Sequence, residues 1–230
     1  MFDDLPENFH ASIDAHKYWD KANHGPIARL FFHKLSNFLM ETYSVPKVYA
    51  DGAAAELSDS MRASNLSYHN PLHILSILDW AELNKINLTP VEQLTLWFHD
   101  AIYDPQAVKL ANEAKSACLA RIILTRIGIS PKEVNRVSKG ILATARHCEL
   151  DVDLEFERIL DVDVCAFAWP RADFLAQDKA VSMEYIPTIG EEKWKEGRKK
   201  FVQQFLSKGF VYRSFDFREF EQAAVKNLTT

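Results

Sequence analysis

The chain has 230 residues, 47% of them hydrophobic, and a formal net charge of -5, which is enough apolar material for one sizeable core. The balance leaves no basic footprint for duplex nucleic acid, the interspersed charges form no acidic tail, and no apolar run approaches the roughly 20 residues that a membrane helix needs. Three widely spaced cysteines (Cys118, Cys148, Cys165) without a CxxC pair read as reduced, mostly buried thiols. The acidic start MFDDLPENFH is unlike a signal peptide, so the expectation is a soluble cytoplasmic protein.

Apolar residues recur at three- and four-residue spacing along most of the chain, which predicts helices. Ile27, Leu30, Phe31, Leu35, Phe38 and Leu39 form the first stripe. The segment 45–67 (VPKVYADGAAAELSDSMRASNLS) has the weakest periodicity and reads as a long loop or insertion. Asn70 and Pro71 read as N-cap and first residue of a helix through Ile74, Ile77, Leu78 and Ala81. Thr89, Pro90 and Glu92 form a capping box that starts the helix carrying His99 and Asp100. A helix from Ala111 to about Ile127 stops at Gly128. Ser130, Pro131 and Glu133 repeat the capping pattern and open a helix ending near His147. Helices near 154–168, 171–186, 191–208 and 216–227 complete the chain. With no repeat and no dividing linker, the reading is one all-α domain over 1–230, with a site region at 68–170 and C-terminal helices at 171–230. The basic run Lys193, Lys195, Arg198, Lys199 and Lys200 reads as a solvated helix face, and the aromatic tail (Phe210, Tyr212, Phe215, Phe217, Phe220) as core packing. Trp169, Phe174 and that tail are also the residues that would supply an interface if the chain forms an oligomer.

His99 and Asp100 stand inside the apolar run LTLWFHDAIYD, where two adjacent titratable residues have no obvious structural role. On its helix, Asp163 has Ile159, Leu160, Ala166 and Phe167 three and four residues away, so it points to an apolar face. A carboxylate there costs several kcal/mol unless it is paired or binds a metal. Asp161 has Glu157, Arg158, Val164 and Cys165 at the same offsets and lies nearer the polar border, as an outer-layer residue or an alternative ligand. His73 falls in the first turn of its helix. Together, His73, His99, Asp100 and Asp163 form an N/O metal-ligand set. The pair His69 and His73 is no zinc-protease motif, because Pro71 starts the helix after His69 and HExxH is absent. His69, His147 and Glu113, the last beside Ser116, are candidates for a second-metal ligand, a general acid or a substrate contact.

At these residues the chain resembles the HD superfamily, which is named for His…His-Asp…Asp metal ligands and maps onto His73, His99, Asp100 and Asp163. More narrowly it looks like the predicted metal-dependent HD phosphohydrolases, through YHNPLHI (68–74), WFHDAIYDP (97–105), NEAKSA (112–117), ATARH (143–147) and LDVDVCAFA (160–168), with weaker echoes in GRKKFVQQFL (197–206) and VKNL (225–228). In that group the tyrosine-proline segment echoed by YSVP (43–46) runs almost directly into the YHN motif. Here about 20 residues intervene, which bears on the shape of the site entrance. The resemblance implies an all-α bundle with a central metal, and hydrolysis of phosphomonoesters, phosphodiesters or pyrophosphates.

The donor set suits Mn²⁺, Fe²⁺, Co²⁺, Ni²⁺ or Zn²⁺, with Mg²⁺ as a further option. The expected function is metal-dependent hydrolysis of a small phosphorylated metabolite or nucleotide, with Asp100 orienting the attacking water and Glu113 or His69 protonating the leaving group. Lys115, Arg146 and Arg198 are the candidate phosphate contacts. Two alternatives keep the fold. In one, the same ligands serve as a hydratase or, with a second metal on His69 or His147, a di-iron oxygenase. In the other, the domain is a non-catalytic ligand-binding module.

Overall fold

The computed structural model describes residues 9–14, 25–63, 66–108 and 110–230; most of the acidic N-terminal stretch and residues 64 and 65 of the 45–67 segment lie outside them. The protein is all-α, with no strand among the described residues. Its helices are α1 (Ala11–Asp14), α2 (Gly25–Tyr43), α3 (Lys47–Ala63), α4 (Pro71–Leu83), α5 (Pro90–Phe98), α6 (Ala111–Arg126), α7 (Pro131–Thr144), α8 (Glu157–Asp163), α9 (Arg171–Ile189), α10 (Glu191–Ser207) and α11 (Glu221–Thr229). Short 3-10 turns, Leu154–Phe156, Cys165–Ala168 and Phe215–Phe220, break the expected 154–168 and 216–227 helices.

Helix α4 is the axis of the bundle. It is apolar nearly all round, from Leu72 to Ala81, and such a helix is stable only when surrounded. It packs against α1, α2, α3, α5 and α8. Behind it α5 lies on α7, and α7 on α6. The buried apolar side chains form one contiguous cluster. Among the described residues, no helix is long and apolar enough to cross a membrane.

The helix starts follow the sequence signals. Asn70 Oδ1 accepts from the backbone N–H of Leu72 (2.9 Å) and His73 (3.4 Å), while its Nδ2 donates to Leu66 O (3.1 Å). Thr89 and Glu92 close the reciprocal capping box, and Ser130 caps α7. These caps fix where the first turn of α4 and the last turn of α5 lie, and so where the site residues stand.

Three expectations are corrected. The segment 45–67 is mainly a helix, α3, packed along α2. Its buried stripe (Ala50, Ala53, Ala54, Leu57, Met61) is correctly spaced but built largely from alanine, with Gly52 on the opposite side, so its hydrophobic signal is weak. Trp169 and Phe174 are 4% and 5% exposed, packed into the chain's own core, and so supply no interface. Of the cysteines Cys165 is buried, Cys148 half-buried and Cys118 exposed, all unbridged.

Helices α5 and α7 approach closely at Gly140, where an added Cβ would stand 2.8 Å from Thr95 Cγ2 and 3.3 Å from Ile159 Cδ1. Thr95 is fully buried and donates to Val91 O (2.8 Å), so it cannot swing away freely. Gly140→Ala is expected to destabilise the fold by about 1–3 kcal/mol through overpacking. Adding Thr95→Ala should recover part of that loss in a double-mutant cycle read by denaturant unfolding.

Candidate metal centre

Three helix ends bring the ligand candidates together. His73 sits in the first turn of α4, set by the Asn70 cap. Helix α5 ends at Phe98, so His99 is its C-cap and Asp100 opens the following turn. Asp163 is the last residue of α8. The turn after Asp100 is held by side chains from two other helices. Ser60 of α3 donates to Ala101 O (2.8 Å), and Ser116 of α6 accepts from Ile102 N (3.0 Å) and donates to Ile102 O (3.2 Å). Asn112 binds Asp104 at both backbone groups (3.0 and 3.1 Å). The NEAKSA segment therefore acts through Asn112 and Ser116 as a clamp on the His99–Asp100 turn.

The donor atoms converge. His73 Nε2 and His99 Nε2 are 3.4 Å apart, and Asp163 Oδ1 lies 3.3 and 3.2 Å from them. These three residues place one donor each within 4.8 Å of one another. Asp100 stands outside that tightest set, yet its Oδ2 is 3.0 Å from His99 Nε2 and 3.6 Å from His73 Nε2. Two donors each about 2.1 Å from one ion are about 3.0 Å apart at right angles and about 3.4 Å apart at the tetrahedral angle. The observed spacings match one shared cation. His99 Nδ1 lies 2.9 Å from Leu96 O, which can accept its proton, so Nε2 is the atom that would offer a lone pair once a cation displaces the proton that Asp100 and Asp163 favour there. His147 Nε2 lies 2.8 Å from Asp163 Oδ2 and orients that carboxylate through the oxygen not turned to the imidazoles. The donor set thus fits a divalent transition metal.

Electrostatics agree. Burial alone would push the Asp163 carboxyl up, but His99 and the hydrogen bonds from His147 and His73 hold it well below the usual range. Burial presses both imidazoles toward neutrality; it prevails at His73, whereas Asp100 and Asp163 outweigh it at His99 and raise its pKa well above the ordinary value. The cluster is built to hold positive charge between two carboxylates.

A cavity of about 400 Å³ opens over the cluster. Asp100, Asp163, His69, His147 and Glu113 lie at one side, and α9 and α10 wall the other. Among the described residues, none of 45–67 lines it, so α3 does not shape the entrance. His69 Nδ1 is 2.6 Å from Glu184 Oε2, and its ring stacks on Tyr103 with centroids 3.4 Å apart. Glu184 Oε1 also accepts from the backbone N–H groups of Tyr68 and His69. Burial lowers the His69 pKa, but Glu184 and Asp100 overcome it and leave the value raised. Tyr103 and Tyr185 share a hydroxyl hydrogen bond of 2.6 Å.

Three candidates fall outside the cavity. Asp161 is only 1% exposed, more buried than Asp163, and its carboxylate accepts from the backbone N–H of Arg213 (2.9 and 3.0 Å) and Ser214 (2.7 Å). Two helical residues apart, it points about 200° away from Asp163. Burial pushes its carboxyl up to about 6 despite those bonds. Its place on the helix suggested a polar border because the covering segment, 211–214, comes from the distant tail. Arg146 is bound to Glu149 (2.6 Å) and to Asp151 O, and does not line the cavity. Lys115 is exposed and does not line it either. Arg198 does, with Nε 2.7 Å from Asp178 Oδ1, so this member of the basic run turns inward while Lys193, Lys195, Lys199 and Lys200 are exposed.

Sequence reasoning missed Glu184, Tyr103, Tyr185, Gln177 and Trp194. Helix α9 carried a readable signal: Gln177, Val181 and Tyr185 recur every four residues on one face, with Glu184 beside them. Compared with known proteins, the chain matches no family model, no curated protein and no solved structure.

Asp163→Ala is expected to abolish binding of one Mn²⁺ or Zn²⁺ per chain in calorimetry while the helical circular dichroism stays near wild type. Asp161→Ala should keep that binding and instead lower stability by about 1–3 kcal/mol, because the part-buried backbone N–H groups of Arg213 and Ser214 lose their acceptor.

Proposed function

We propose that this chain is a metal-dependent phosphohydrolase of the HD type, acting on a small phosphorylated compound. The observation that supports it most is the meeting of His73, His99 and Asp163 donors within 4.8 Å, with Asp100 beside them, at the floor of a cavity. The HD resemblance rests on those same residues. A divalent ion bound by these residues would supply Lewis-acid chemistry, lowering the pKa of a water and polarising a phosphoryl group.

The chain's own groups do the rest. Asp100 borders the cavity and is the carboxylate placed to orient the attacking water. With Nδ1–H directed to Glu184, His69 acts as the acid in its doubly protonated form, which its raised pKa favours, and the Nε2 proton is the one that passes to the departing oxygen. Stacking on Tyr103 keeps the ring in that plane. Glu113 also borders the cavity, but no bond of this kind orients it, so His69 is the preferred acid.

After chelation, added Mn²⁺, Mg²⁺, Ni²⁺ or Zn²⁺ should restore hydrolysis across a panel of phosphate esters. His99→Ala or Asp100→Ala should abolish it with the fold intact; full activity in either variant would overturn the assignment. His69→Ala should lower kcat by about 10²–10⁴ on phenyl phosphate. The loss should be far smaller on 4-nitrophenyl phosphate, whose leaving group needs no proton. Equal losses on both esters would remove His69 from the role of acid.

A further inference from the structure

The cavity extends well past the metal ligands, and its far wall is chemically distinct. On α9, Gln177 is 6% exposed, lines the cavity, and its Oε1 has no hydrogen-bond partner. A buried amide left unpaired costs about 1–3 kcal/mol, so the position suits a group that a ligand satisfies. Gln177 Oε1 is closed off from solvent in this side-chain position, and a rotation of the flexible side chain toward the cavity would let the amide present an acceptor and a donor side by side. Around it the wall is aromatic. Tyr185 and Trp194 stack with centroids 5.4 Å apart, and Phe167 and Phe201 stand 6.3 Å apart. All four line the cavity.

Charge narrows the ligand further. Arg198 is the only Lys or Arg among the described lining residues, and Asp178 already holds it at 2.7 Å. Glu113 adds negative charge to the same walls, while Asp100 and Asp163 belong to the cluster that holds positive charge. A polyphosphate chain would find no spare cation here. A neutral ring would lose nothing to these carboxylates and would gain stacking area against the aromatic side chains. About 400 Å³ is within the usual range for a small-molecule site and holds such a ring together with one phosphate group.

We propose that α9 and α10 form a subsite for an uncharged planar heteroaromatic ring that presents a hydrogen-bond donor next to an acceptor, read by the Gln177 amide and packed against Trp194 and Tyr185. The chemistry is shared by a nucleobase and by a nicotinamide-type carboxamide. This inference rests on the phosphohydrolase reading only for the phosphate end of the substrate.

The test is binding without turnover, on the full chain with no added metal. The probes are adenosine, cytidine, uridine, guanosine and nicotinamide, with benzyl alcohol and ribose 5-phosphate as controls lacking the edge and the ring. At least one edge-bearing probe is expected to bind with Kd below about 1 mM and to change tryptophan fluorescence, a change lost in Trp194→Phe. Gln177→Leu, checked for fold by circular dichroism, should weaken that probe at least tenfold and leave both controls unaffected. A nucleoside hit assigns the ring to a nucleobase; nicotinamide alone assigns it to a carboxamide. Failure of every edge-bearing probe to bind, or binding indifferent to Gln177→Leu, overturns the subsite. Metal-restored hydrolysis of ribose 5-phosphate alongside that failure would leave the phosphohydrolase reading standing. Probe binding without hydrolysis of any phosphate ester would do the reverse.

Discussion

Two imidazole nitrogens 3.4 Å apart, with carboxylate oxygens 3.0–3.6 Å away, form the interaction on which the rest of the molecule turns. Deep in a bundle, such a cluster is stable only if positive charge sits within it. The fold meets that demand with short helix ends in place of long loops. Each residue of the cluster lies within one turn of a helix terminus, and each terminus is fixed by polar contacts of its own: Asn70 for α4, Ser60 and Ser116 for the turn after α5, and His147 against Asp163. Ligand geometry is thereby a property of the scaffold, as preorganised sites require.

A second layer tunes the first. His99 is oriented by a backbone carbonyl, Asp163 by His147, and the His147 carbonyl in turn accepts from Lys208 (2.8 Å) and Arg213 (3.1 Å) of the tail. Arg213 is itself placed by its backbone N–H on Asp161. The two aspartates of LDVD thus serve different ends: Asp163 faces the cluster, and Asp161 anchors the segment whose cation steadies the histidine behind it. Outer-shell partners of this kind set the orientation and basicity of ligands.

Much of the helical framework was legible. Caps at Asn70, Thr89 and Ser130 are local chemistry, and local chemistry survives folding. Asp163 was legible because an apolar surround makes a carboxylate conspicuous. Helix α3 was not, since alanines at its buried positions carry little hydrophobic contrast. Asp161 was misplaced because its burial comes from residues 211–214, far along the chain. Arg146 and Lys115 looked like phosphate contacts because a cation near a motif draws attention. The structure gives the first to Glu149 and leaves the second exposed on α6. Glu184 and Gln177 escaped notice because an acid and an amide on a mixed helix face stand out only once the facing elements are known.

The position of Glu184 has a broader implication. One carboxylate on α9 grips the backbone entering α4 and the ring of His69, so the far wall of the cavity is physically tied to the residues beside the cluster. Tyr185 adds a second tie by holding Tyr103, which stacks on His69, and Asp178 holds Arg198, whereas the apolar side chains of Val181 and Phe201 carry no such duty. Descendants of this chain can therefore exchange those apolar side chains and reshape the cavity while inheriting the His/Asp cluster unchanged, provided that Glu184 and Tyr185 are kept.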